Sequence, residues 1–199
     1  MKAVMTEIPQ FVLEWRKRTG AEMWDEMWEG VLHIAPAPDL DHQLFVGRLE
    51  TWLNNHWIRP GGYRVYHDIN LAPQGGWPDN YRIPDLVLLT SESPLVNRKV
   101  YLEGAPTVVI EIESPDDETR EKLPFYAQLG VPEVWIFNLD TKQPMLLILE
   151  GGGYRERAPD AEGWFDSPGT GIRFRHQPAN QLVLQLRDDP ATKETLPEE

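Results

Sequence analysis

The dipeptide Pro84-Asp85 opens an apolar run, Leu86-Val87-Leu88-Leu89, and 26 residues after the aspartate Glu111 sits inside a second run, Val108-Val109-Ile110-Glu111-Ile112-Glu113. Both runs read as strands. Residues two apart in a strand point to one face, so Glu111 and Glu113 share a face while Val108, Ile110 and Ile112 take the other. Acids within such strands are costly to bury unless something positive compensates them. Three carboxylates, from Asp85, Glu111 and Glu113 on two neighbouring strands, make an oxygen site suited to a divalent cation. Phosphodiester hydrolysis is therefore the first functional expectation.

A chain of 199 residues, 41% of them apolar and 10% aromatic, is sized for one well-cored domain and is short for two. Tryptophans at 15, 24, 28, 52, 57, 77, 135 and 164 point to packing along the whole length. No apolar run approaches the ~20 residues that span a bilayer, and residues 1–7 lack the apolar core of a signal peptide, so a cytoplasmic protein without membrane association is expected. Having no cysteine excludes disulfides, thiolate zinc sites and cysteine nucleophiles. His33, His56, His67 and His176 lack the spacing of a histidine zinc site, and there is neither a phosphate-binding Gly-x-x-x-x-Gly-Lys loop nor a Gly-x-Ser-x-Gly elbow. The net charge of −13 opposes simple nucleic-acid binding, because phosphate backbones are held mainly by lysine and arginine. A metal-dependent nuclease escapes that objection in part, since the ion neutralises its acids. Only local basic patches and weak DNA contacts are expected.

Along the chain, a short amphipathic helix is predicted over 8–18, with an early proline and Gly20 beyond its end. A hairpin follows over 23–34, turning at Trp28-Glu29-Gly30. Leu44, Phe45, Leu49, Trp52 and Leu53 follow helical spacing in a segment from about 42 to 56. A strand is predicted over 63–71, a turn-rich loop over 73–80, and strands over 83–89 and 107–113. Ser114-Pro115-Asp116-Asp117-Glu118 resembles a helix start with acids at the positive end of the dipole, although Pro124 implies a late start or a kink. Strands over 134–137 and 145–149 lead to shorter segments near Tyr154, Trp164-Phe165 and 172–174 that close an antiparallel region. The order predicts a single mixed-sheet α/β domain over 1–186. Residues 187–199, with five acids against two bases, are expected to fray as an acidic tail.

PDLVLL at 84–89 and the block VVIEIESPDDETREKLPFYAQLGVPEVWIFN at 108–138 together resemble the bacterial Uma-two family of restriction-endonuclease-like proteins, within the PD-(D/E)xK nuclease superfamily. Upstream, residues 26–32 and His42-Gln43 are similar to the family's N-terminal Glu-hairpin and His elements, so the resemblance runs over roughly residues 5–186. It implies a restriction-endonuclease-like mixed β-sheet flanked by helices. It also implies magnesium or manganese held by Asp85 and Glu111, a lysine that orients water or stabilises developing charge, and DNA as substrate. The chain departs from the pattern two residues after Glu111, where Glu113 stands in place of lysine. Two readings remain open and can coexist: Lys122 acts as a relocated catalytic lysine, and Glu113 serves as a further metal ligand or as the base.

Glu26 is a candidate extra ligand, and His42 and Tyr126 are candidate cleft residues. Each has a plainer alternative: Asp85 as a turn residue, Glu111 and Glu113 on a wet sheet face, Lys122 paired with Glu118 on a helix surface. Likewise Tyr126 can simply pack, Glu26 can be an exposed hairpin acid, and His42 a helix-start residue. The competing function keeps the nuclease fold without catalysis, binding DNA or a protein partner. A third is hydrolysis of another phosphoester. A homodimer is expected by analogy with two-fold pairs that cut both DNA strands.

Overall fold

The computed structural model describes residues 9–115 and 117–196. Helix α1 (Gln10–Thr19) starts behind Pro9 and stops at Gly20, whose φ of 75° turns its N–H back to the Arg16 carbonyl. Strands β1 (Glu26–Trp28) and β2 (Val31–His33) form the expected hairpin. Its turn residues Glu29 and Gly30 both take positive φ, which matches the twist of a two-residue hairpin. Helix α2 (Leu40–Leu53) starts two residues earlier than expected because the Asp39 side chain caps it, accepting the His42 N–H at 2.8 Å. A π-helical turn (Asn54–Ile58) and the short α3 (Arg59–Gly61) prolong it.

Next come β3 (Arg64–His67), β4 (Leu71–Ala72), β5 (Leu86–Leu89), β6 (Leu95–Asn97), β7 (Leu102–Gly104) and β8 (Val108–Glu113). After α4 (Leu123–Leu129) follow β9 (Glu133–Asn138), β10 (Pro144–Glu150), β11 (Gly153–Glu156), β12 (Phe165–Asp166), β13 (Ile172–Gln177), β14 (Gln181–Leu186) and β15 (Asp189–Leu196). The main sheet runs in the order β11-β10-β9-β8-β5-β3. It is mixed, with β8 and β9 parallel across the α4 crossover and the other neighbours antiparallel. A four-stranded antiparallel sheet (β12-β13-β14-β15) and a three-stranded one (β4-β7-β6) complete a mixed α/β domain.

The main sheet is covered on both faces. Val108, Ile110 and Ile112 of β8 pack with Phe45, Leu49 and Trp52 of α2 and with Phe174 and Leu184 of the four-stranded sheet. Val109 faces the other way, into a cluster with Phe125 and Tyr126 of α4. Each fully buried side chain of this kind contributes about 1.5–3 kcal/mol. The double cover explains why Glu111, on the α4 side, ends only 2% exposed.

Three expectations change. The strand predicted over 63–71 breaks at Asp68, whose φ of 47° departs from extended backbone, so β3 and β4 belong to different sheets. The helix does not begin at Ser114 but takes the late start that Pro124 implies: the Asp117 carboxylate accepts the N–H groups of Ser114 and Thr119 at 2.6 and 2.9 Å, closing a turn rather than capping a helix. A tight turn over Arg120–Lys122 then feeds α4, with Pro124 in its first turn, where no N–H is needed.

The third concerns the segment from 187, which does not fray over its described part. Residues Asp189–Leu196 pair with β14, bury Thr192 and Leu196, and receive the Trp52 indole N–H on the Thr192 carbonyl at 2.8 Å. Backbone pairing and two buried side chains outweigh the acidic composition. Residues 1–8, 116 and 197–199, which the expected helices, domain and tail included, lie outside the described residues. Among the described residues no helix is long and apolar enough to cross a membrane.

Candidate functional site

Antiparallel pairing sets Leu86 of β5 opposite Ile110 of β8. Asp85, one residue ahead of that ladder, therefore arrives beside the far end of β8, and its Oδ2 accepts the Ile112 N–H at 2.6 Å. Glu111 points toward α4, where the Tyr126 hydroxyl donates to its Oε1 at 2.5 Å. Lys122 is the last residue of the turn that feeds α4. Its Nζ lies 2.9 Å from Glu26 Oε1 and 3.4 Å from each Glu111 oxygen. On the other flank, His42 in the first turn of α2 places Nε2 3.1 Å from Asp85 Oδ1. The His42 Nδ1 is buried and has no hydrogen-bond partner among the described residues.

Glu26 is held from three directions. Its Oε1 accepts the Ile83 N–H at 2.8 Å as well as Lys122, and its Oε2 accepts the Trp28 indole N–H at 2.7 Å. Close by, the Arg82 guanidinium is sandwiched between the Trp28 and Phe125 rings, 4.2 Å from each centroid. That stack clamps the hairpin against α4.

Six of the residues singled out in the sequence thus come together: Glu26, His42, Asp85, Glu111, Lys122 and Tyr126. Glu113 does not join them. It shares the face of Glu111, but the strand rise carries it roughly 6–7 Å further on. There its two oxygens accept Arg120 Nε at 2.5 Å and Nη2 at 3.1 Å. With Arg120 and Asn138 it lines an adjoining depression, whose wall at Ser114, Pro115 and Asp117 is shared with the main cavity.

The six meet at a cavity of about 410 Å³, where Tyr126 lies behind the wall. The acids Glu26, Asp39, Asp68, Asp85, Glu111, Asp117 and Glu118 line it, against Lys122, His33 and His42. Burial pushes the Glu111 carboxyl up to about 8; Asp85 and Glu26 push the same way, while Lys122 and the Tyr126 hydroxyl pull against them. Burial opposes the charge on Lys122, but the carboxylates of Glu111, Glu26 and Asp85 outweigh it and raise its pKa. Burial, followed by the charges of Glu111 and Glu26, drives the Tyr126 hydroxyl well up. Burial also raises Asp68, helped by the nearby Asp85 charge. For His42, burial favours the neutral ring, yet the bond to Asp85 and the charges of Asp85, Asp68 and Asp39 prevail and raise its pKa.

This donor set fits a divalent cation of the magnesium type. Three buried or nearly buried carboxyl groups, of Glu26, Asp85 and Glu111, face the Lys122 ammonium and the His42 ring, and a cation there would take the place of the proton that burial leaves on Glu111. Asp85 and Glu111 offer hard oxygen atoms. Among the described residues no group of three or more His, Asp or Glu side chains is gathered tightly enough to hold an ion alone. Magnesium tolerates this, since it commonly takes one or two carboxylates and keeps water and phosphate oxygens for the rest. A four-ligand structural zinc site does not.

Sequence reasoning missed Asp68, Arg82 and the His33–Glu118 pair, in which Nδ1 and Oε2 stand 2.8 Å apart at the cavity rim. Asp68 lay hidden in a strand-like pattern, and Arg82 in a stretch with no periodicity to assign its face.

A solved structure from Anabaena variabilis, described as "a putative nuclease belonging to DUF820", aligns with a TM-score of 0.56 over 72% of this chain and 81% of that one, at 18% identity. At that identity the likeness shows the fold. No curated protein matches the chain. The model of the Uma2 family, described as "Putative restriction endonuclease", matches residues 9–175, which places the whole main sheet and the whole cavity wall inside it. The chain belongs to the Uma2 family.

Proposed function

We propose that this protein is a magnesium- or manganese-dependent endonuclease that hydrolyses phosphodiester bonds in DNA. The observation that carries this reading is the convergence of Asp85, Glu111 and Lys122 at one cavity, with Lys122 arriving from the turn before α4. Family membership supplies the expectation of a nucleic-acid substrate.

Asp85 and Glu111 would hold the ion. When bound, a divalent cation polarises the scissile phosphate and lowers the pKa of water. The protein's own groups prepare the rest. The Ile112 N–H and the His42 ring fix the two Asp85 oxygens, and the Tyr126 hydroxyl fixes Glu111. Lys122, kept protonated by its carboxylate neighbours, donates hydrogen bonds toward the negative charge that builds on the phosphate. Glu113, paired with Arg120, holds the end of β8 to the turn that leads into α4.

One observation favours a second reading, a nuclease-fold module without catalysis: the cavity wall carries seven acids, which repel a phosphate unless a cation intervenes. One experiment separates the two. Manganese and magnesium are titrated calorimetrically into the wild type and Asp85→Ala, and plasmid nicking is assayed on the same samples. Asp85→Ala is expected to lose ion binding and nicking together while keeping its fold. Full nicking by Asp85→Ala would sink the assignment, and a wild type that binds no ion would leave the module reading in place.

A further inference from the structure

We infer that Glu26 is the positioning residue of Lys122 and not a ligand of the ion, an inference that rests on the nuclease reading above. The lysine of this site does not come from the strand. Its place on β8 is taken by Glu113, and Lys122 reaches the cluster from a turn. A lysine on a strand beside its metal-binding acid has its direction set by the sheet. A four-carbon side chain from a turn has no such guide and needs an anchor to select one of its many rotamers.

Glu26 meets that need. Its Oε1 is the nearest carboxylate oxygen to Lys122 Nζ, 2.9 Å against 3.4 Å for Glu111. The Glu26 side chain is itself 7% exposed, and the Ile83 carbonyl, 3.4 Å from Nζ, joins it in holding the ammonium. Both Glu26 oxygens are already used, by the Ile83 N–H, the Trp28 indole N–H and Lys122. With the Ile83 N–H and Lys122, Oε1 already accepts two donors, which fills its lone pairs, whereas each Asp85 oxygen accepts one.

The anchor is rigid because the hairpin is. The Tyr81 N–H and an Arg82 Nη1 both donate to the Met27 carbonyl, at 2.8 and 3.1 Å, and Arg82 stacks on Trp28. The hairpin thus does for the lysine what the strand would have done. Held there, Lys122 stays within reach of both Glu111 oxygens.

A double-mutant cycle tests the assignment, with Glu26→Gln, Lys122→Met and the double variant compared with the wild type in plasmid nicking at saturating manganese. Calorimetric manganese affinity is measured on the same four proteins. Glu26→Gln is expected to lower turnover by about 10- to 100-fold, to leave manganese affinity within about twofold, and to have no further effect on turnover in the Lys122→Met background. A residue needed only for folding would lower activity in both backgrounds. Independent, multiplying losses of turnover overturn the inference, and so does a tenfold or greater loss of manganese affinity in Glu26→Gln. If Glu26→Gln lacks the cooperative melting transition of the wild type, Glu26→Asp replaces it, keeping the charge but retracting it from Lys122, and is judged by the same outcomes. A wild type that neither binds manganese nor nicks DNA overturns the nuclease reading and the role of Glu26 together, whereas an active wild type with an additive cycle overturns the role alone.

Discussion

Glu111 sits among acids, with burial favouring its neutral form and Lys122 and the Tyr126 hydroxyl favouring its charge. Its folded-state value of about 8 lies above the ordinary 4.5, so over that interval the folded protein holds a proton that the unfolded chain gives up. The stability this brings is fully present below the unfolded value and is lost as pH rises through about 8. The metal-free wild type is therefore expected to lose melting temperature between about pH 5 and about pH 9, and Glu111→Gln, which has no proton to lose, to show a flatter profile. Magnesium should reverse part of the loss at the alkaline end, because a bound cation takes over the proton's work. Parallel melting profiles for wild type and variant would show that Glu111 titrates as an ordinary carboxyl. At this scale most of the cluster was legible in the sequence, because strand parity and the family pattern fix where Asp85, Glu111 and Lys122 lie in the chain. Parity also put Glu113 beside Glu111, since it gives the face of a strand but not how far along that face a cavity reaches.

Elements were legible where periodicity was long, as in α2, β8 and β9, and failed where one side chain redirects the backbone. Asp68 ends a strand by its positive φ, and Asp117 folds the chain into a turn before any helix can begin. The strand β15 was missed for the opposite reason: its composition is that of a tail, and only pairing with β14 makes it a strand. One such tertiary tie is Glu133, at the start of β9 and 2% exposed. It accepts the Ser167 hydroxyl at 2.7 Å, the Gly169 N–H at 2.5 Å and the Trp135 indole N–H at 3.2 Å. The turn between β12 and β13 is thereby fastened to the main sheet. Glu133→Ala leaves three donors without their acceptor and should cost roughly 2–4 kcal/mol in urea unfolding, with an unchanged m value. Gly169→Ala should also destabilise, because a Cβ there would lie 2.6 Å from Glu133 Oε1. Losses below about 0.5 kcal/mol for both would show that the turn holds without this carboxylate.

Over the whole molecule the charge is −13, and many of the basic groups are already engaged by acids. Arg173 pairs with Asp160 and Asp166, Arg187 with Asp166, Arg157 with Glu150, and Arg120 with Glu113. A DNA backbone approaching the acid-lined cavity meets repulsion that only a cation there can offset. Binding should therefore depend more on the divalent ion than on displacing counterions from many phosphates. In an anisotropy titration of a labelled duplex with Lys122→Met, used to slow cleavage while leaving Asp85 and Glu111 intact, affinity is expected to vanish with a chelator. With manganese present, it should fall only shallowly with monovalent salt. About three neutralised phosphates or fewer would give a log–log slope shallower than about −3. A slope of about −5 or steeper means six or more phosphates held by basic side chains. Binding of that kind, persisting without manganese, would put the DNA on a surface away from the cavity and leave Asp85 and Glu111 with no part in holding it.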